Sequence, residues 1–108
     1  MLGMVARAKL SHDGEVLRFD CPGCGFPHIV NVRASGSRPG EPIWDWNGSL
    51  EAPTLKPSIH GQWTEGPERA ARCCHSFVTG GWIQFLADCT HAMAGQTVDL
   101  PEIMDRVD

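Results

Sequence analysis

The chain has 108 residues, 42% of them hydrophobic and 20% charged, which excludes a largely disordered polymer and fits one domain with a modest core. A net charge of -4, with only 9 Lys and Arg scattered along the sequence, gives no basic field for gripping phosphates, so general nucleic-acid binding is disfavoured on charge grounds. Arg7 and Lys9 interrupt what would have to be the apolar core of a signal peptide, and no later run reaches membrane-spanning length, so the expected protein is soluble and intracellular, with no membrane partner.

Taken in chain order, the sequence predicts short strands. "ARAKL" alternates Ala6, Ala8 and Leu10 with Arg7 and Lys9, "SHDG" supplies turn residues, and "EVLRFD" follows as a second strand leading into Cys21. "HIVNVR" is β-branched and alternating. The Cys21-Pro22-Gly23-Cys24 turn therefore lies at the tip between two strands, where backbone amides can point at thiolates, as in a zinc knuckle. Residues Ala34 to Pro42 read as a surface loop. "IWDWNG" reads as a short strand ending in an Asn47-Gly48 turn, with Trp44 and Trp46 on one face, either covering the sheet or forming an aromatic ligand wall. The two prolines of "APTLKPSI" restrict it to edge or irregular extended structure.

Gly80-Gly81 in "CCHSFVTGGWIQFLADCTHAMAG" is a two-residue hairpin signal. It sets Thr79 opposite Trp82, Val78 opposite Ile83, His75 opposite Leu86 and Cys74 opposite Ala87. A short helical turn is expected near Thr90 to Ala94, and another from Pro101, which suits a first helical position. The predicted fold is mainly β, a small sheet and hairpin domain resembling a zinc ribbon, with one or two short helical turns near the C-terminus. Core candidates are Val16, Leu17, Phe19, Val30, Val32, Trp44, Trp46, Val78, Ile83, Phe85 and Leu86.

Five cysteines in a reducing compartment point to metal or thiol chemistry rather than a disulfide framework. The hairpin register makes Cys89 a same-face diagonal neighbour of Cys74. With Cys21 and Cys24 they form the four-thiolate set that structural zinc prefers, so Zn2+ is the expected cofactor and residues 1–108 one zinc-stapled domain. His28, His75 and His91 compete as alternative ligands. Without metal, Cys74 and Cys89 would be small buried hydrophobes and the CxxC a redox dithiol, although its surroundings lack the helix start of a thioredoxin-like unit. Cys73 points away from Cys74 and is left outside the site.

The same register puts His75 and Asp88 on the opposite face, again diagonal, with His91 in the next turn. A carboxylate beside an imidazole can fix its tautomer, the arrangement of a general base or a support for a metal ligand. It is also compatible with a surface histidine and an aspartate that caps the turn.

The series "CPGCG", "WDWNG", "APTLKPSI", "CHSF" and "IQFLADCTHAMAGQTVDLP" resembles a family of short phage and prophage proteins of uncharacterised function, often labelled ammonia monooxygenase. The resemblance runs from about Cys21 to Pro101. It carries over Cys21, Cys24, Trp46, Asn47, Gly48, Pro53, Pro57, Cys74, His75, Cys89, Thr90, His91, Gly95, Gln96 and Asp99, while Cys73 and Gly80-Gly81 look particular to this chain. The label does not suit the sequence, because membrane oxidation of ammonia needs spanning helices and a copper or iron site rich in His and carboxylate.

The resemblance implies an origin, and with it a bacterial host cytoplasm, more than an activity, and two classes of function remain open. One is a zinc-binding accessory module that acts on a phage or host protein partner, with Trp46, Asn47, Trp63 and Trp82 as candidate interaction residues. The other is a small zinc-dependent hydrolase or ligand-binding enzyme using His75, Asp88 and His91. Four thiolates close a zinc site, whereas a catalytic zinc keeps an open position, so the simplest ligand count favours the accessory module.

Overall fold

A computed structural model describes residues 5–34 and 39–103, and among these all regular structure is strand, in two antiparallel sheets without a helix. The first sheet is built from β1 (Lys9–Leu10), β2 (Val16–Asp20) and β3 (Pro27–Asn31), in that order. Alternation along β2 buries Leu17 and Phe19 and leaves Val16, Arg18 and Asp20 at the margin. Leu17 pairs with Val30 and Phe19 with His28, so the Cys21–Cys24 turn projects from the end of a well-anchored hairpin, as its flanking strands predicted.

The second sheet contains β4 (Asp45–Trp46), β5 (Leu55–Glu65), β6 (Ala70–Thr79), β7 (Trp82–Phe85) and β8 (Thr97–Asp99), hydrogen-bonded in chain order. Gly80 and Gly81 form the β6–β7 turn with φ of 56° and 88°, the doubly positive geometry that suits the twist of a tight hairpin and that side chains disfavour. Thr79 pairs with Trp82 and Val78 with Ile83, and the ladder continues to Ser76 and Phe85. Beyond it Leu86 N donates to His75 O at 2.9 Å.

Of the two forms open to the segment around Pro57, edge or irregular, it takes the irregular one, because β5 lies between β4 and β6. The sheet admits the proline through a shift of register between Leu55 and Ile59, a break in the β5–β6 ladder at the point where the proline has no N–H to give. The expected helical turns are corrected. The stretch from Thr90 to Ala94 is not helical; a bend leads into a tight turn over residues 92–95. The chain must return β8 to the flank of β7 there, and it does so through Gly95 N to Phe85 O at 3.0 Å and Phe85 N to Gln96 O at 2.8 Å. Residues 101–103 are also non-helical, and the remainder of that expected turn lies outside the described residues.

One core joins the inward faces of both sheets, with Leu17, Phe19 and Val30 from the first and Leu55, Ile59, Val78, Ile83 and Phe85 from the second. Ala8 and Leu100 complete it from the termini, which the sequence did not suggest, while Val32, Trp44 and Trp46 pack against its edge and Val16 and Leu86 are half-buried. Along β6, Cys74, Ser76 and Val78 point into this core, whereas His75 is half-buried and Phe77 exposed on the other face. Adjacent residues of one strand thus face two different surroundings. Among the described residues, no helix is long and apolar enough to cross a membrane.

Candidate functional site

On the core side, Cys21, Cys24, Cys74 and His91 bring one ligand atom each within 4.8 Å of one another. Cys21 Sγ and Cys74 Sγ are 3.9 Å apart, and Cys74 Sγ and His91 Nε2 are 3.5 Å apart. A tetrahedral ion with metal–sulfur bonds of about 2.3 Å and metal–nitrogen bonds of about 2.0 Å has ligand–ligand edges of roughly 3.5 to 3.8 Å, so the donor spacing fits a bound ion. Cys24 N donates to Cys21 Sγ at 3.4 Å, the amide-to-sulfur contact of a knuckle. The residues present can hold a metal ion.

The thiols crowd one another. Cys21 is pulled down to about 4, first by the hydrogen bond from Cys74 and then, against its burial, by His28 and the Cys24 amide. The same contact with Cys21, reinforced by burial, pushes Cys74 up. Burial first, and then the Cys21 charge, pushes Cys24 up to about 12. One thiolate therefore resists the next, and a cation at the centre is what removes that resistance.

The fourth donor differs from the sequence expectation. Cys89 is buried nearby but outside this group; its Sγ donates to His75 O and accepts from His75 N, each at 3.2 Å. The register made Cys89 a neighbour of Cys74, but the turn after it carries His91 over the cysteines instead. The His91 ring stands edge-on to Phe85 at 4.5 Å and accepts from Met93 N at Nδ1, 3.2 Å away, which leaves Nε2 facing Cys74. Gly23 makes room for it, since a Cβ there would overlap the His91 ring. That glycine was legible only as a turn residue. His28 is not among the four donors; its ring lies against Phe19 and Phe26 at 5.5 and 5.8 Å.

On the opposite, outward face, His75 Nδ1 is 3.0 Å from Asp88 Oδ2, the pair that the hairpin register brought together. His91 is not with them. His75 Nε2 instead meets Ser58 Oγ at 3.2 Å. Because a carboxylate only accepts, Nδ1 carries the proton, and Nε2 is then free to accept from the Ser58 hydroxyl. The bond from His75 holds the Asp88 carboxyl below its usual range. Ser58 lies where β5 shifts register, just after Pro57, and Trp44 Nε1 donates to its carbonyl at 3.3 Å. Sequence reading missed Ser58, since no local motif marks it. The signal was its placement in a strand whose partner carries His75.

The interaction candidates divide. Asn47 organises a loop, with Oδ1 accepting from Ser49 N and Thr54 N and Nδ2 donating to Ala52 O. Trp46 Nε1 donates to Ser49 O at 3.0 Å, and Trp63 Nε1 donates to Glu65 Oε1 at 2.9 Å with its ring edge-on to Phe26. Trp82, at 58% exposure, is the most open of the three tryptophans.

No curated protein and no solved structure matches this chain. The family that matches it, over residues 3–86, is described as "Bacterial ubiquitination-like system serine protease (BubE)". That description concerns a bacterial system, so it supports the bacterial part of the expected origin and gives no support to phage origin or ammonia oxidation. With most of its length inside the match, the chain belongs to the BubE family.

Proposed function

We propose that the protein is a serine hydrolase of the protease type, with Ser58 as nucleophile, His75 as general base and then acid, and Asp88 as the group that orients His75. One observation carries this reading: the unbroken relay from Ser58 Oγ to His75 Nε2 at 3.2 Å and from His75 Nδ1 to Asp88 Oδ2 at 3.0 Å. The family description, which names a serine protease, agrees with it.

In the first half of the reaction, Ser58 Oγ attacks an acyl carbonyl while its proton passes to His75 Nε2. Asp88 stabilises the resulting imidazolium. His75 then returns the proton to the departing amine or alcohol, leaving an acyl-enzyme on Ser58. Water repeats the sequence with roles exchanged and releases the acid. The side chains stand on a face that also exposes Phe77 and Trp82, at 42% and 58%, which offer apolar contact to a polypeptide laid across the sheet. The protein partner expected from the sequence becomes the substrate, drawn from a bacterial ubiquitination-like system as the family description suggests.

The metal is zinc and structural in this reading. Three thiolates and an imidazole suit zinc, and four protein donors leave no open position for a reacting group. Cys21, Cys24, Cys74 and His91 would hold it, and what it supplies is a fixed link between the Cys21–Cys24 turn, β6 and the turn before β8.

A fluorophosphonate probe and metal analysis test both parts. The expected results are a covalent adduct on Ser58, absent in Ser58→Ala and His75→Ala, and one zinc per chain in all three proteins. An adduct that survives Ser58→Ala contradicts the catalytic assignment. Zinc retained by His91→Ala but lost by Cys89→Ser returns the fourth ligand to Cys89.

A further inference from the structure

A second cluster of donors lies on the outward face. His60, Cys73 and Asp88 bring ligand atoms within 4.8 Å of one another, and none of them belongs to the Cys21, Cys24, Cys74 and His91 group. They come from β5, β6 and the turn after β7. His60 Nε2 is 3.2 Å from Cys73 Sγ, and the His60 ring stacks on His75 at 4.4 Å with 19° between the planes. Asp88 is the shared member, because its Oδ2 also accepts from His75 Nδ1.

We propose that His60, Cys73 and Asp88 form a second, exchangeable site for a zinc-class transition-metal ion, and that its occupation takes Asp88 from His75 and silences Ser58. An imidazole, a thiolate and a carboxylate suit zinc better than magnesium or calcium, which prefer all-oxygen shells. On binding, Cys73 gives its proton to solvent as the metal–sulfur bond forms. Three protein donors leave room for water on the ion, and with His60 and Asp88 exposed and Cys73 half-buried the ion meets solvent directly. The core-side cluster is the contrast, with four donors and two of its cysteines buried. Where the ion takes the Asp88 oxygen that His75 now uses, the His75 tautomer is no longer fixed, and with either oxygen a cation beside the imidazole opposes the positive charge it must acquire.

The inhibitory consequence rests on the serine hydrolase reading, whereas the metal site does not. Protein carrying one equivalent of zinc is titrated with further Zn2+ against a chromophoric chelator, as wild type, Cys73→Ala and His60→Ala. Labelling of Ser58 by a fluorophosphonate is timed alongside in wild type and Cys73→Ala. The expected result is a second equivalent bound by wild type and by neither variant, with both variants keeping the first. Labelling of wild type should slow at least tenfold when the second equivalent binds, while that of Cys73→Ala should not change. A wild type that stops at one equivalent, or variants that still bind two, overturns the site. A second equivalent that depends on Cys73 but leaves the labelling rate unchanged overturns the inhibition. If Ser58 never labels while the second equivalent still depends on Cys73 and His60, the metal site stands and the hydrolase reading falls with its inhibition.

Discussion

Ser58 owes its position to its neighbour Pro57, which breaks the ladder between Leu55 and Ile59, and to Trp44, which donates to its carbonyl. Neither is a catalytic signature, and that is why the hydroxyl was not legible while His75 and Asp88 were. Their juxtaposition follows from counting outward from Gly80-Gly81; Ser58 needs the β5–β6 register, which is set across the turn over residues 66–69 and shifts again between Leu55 and Ile59. Asp88→Asn should leave the protein folded and lower kcat by roughly 10^4-fold through the wrong His75 tautomer, as measured on a peptide or ester substrate. The lowered Asp88 value sets a pH sign. The contact with His75 contributes to stability above the ordinary carboxylate range and is lost as pH falls through the lower folded value. A carbon-detected NMR titration should find the Asp88 midpoint below that range and, in His75→Ala, returned toward it. Gly23→Ala should evict His91 from the cysteines and weaken metal binding on the order of tenfold or more, read by competition with a chelator, because the added methyl claims the ring's place.

At the scale of elements, β6 is the hinge of the design, since its alternation sends Cys74 to the core and His75 to the open face. The β6–β7 hairpin was legible because two consecutive glycines permit a turn that few other pairs do. The β2–β3 hairpin was legible because alternation and the CxxC turn agree. What was not legible was the course of the chain after Phe85. Its polar, small-residue sequence suits a helical turn as well as the turn it forms, and the choice is made by bonds from Gly95 and Gln96 back to Phe85. That choice also moves His91, rather than Cys89, into the donor group. Phe85 is 1% exposed and touches the His91 ring, so Phe85→Ala should cost about 3 to 5 kcal/mol in chemical denaturation and loosen metal binding as well. A loss of stability with metal affinity unchanged would show that Phe85 does not position His91.

For the whole molecule, the Cys21–Cys24 turn belongs to one sheet and Cys74 to the other, so an ion held by all four donors fastens the two sheets at one edge of their common core. Binding energy at such a site is largely folding energy, on the order of 10 kcal/mol for structural zinc near neutral pH. Chelation should therefore unfold the protein cooperatively, as followed by circular dichroism, and abolish Ser58 labelling at the same point in the titration. The catalytic claim itself is tested most directly by non-additivity. Hydrolysis of one activated ester is measured for wild type, Ser58→Ala, His75→Ala and the double variant, all with the same zinc content. If Ser58, His75 and Asp88 work as one unit, the double variant is no slower than the worse of the two singles. Losses that multiply in the double variant, or a Ser58→Ala protein as fast as wild type, would contradict the account.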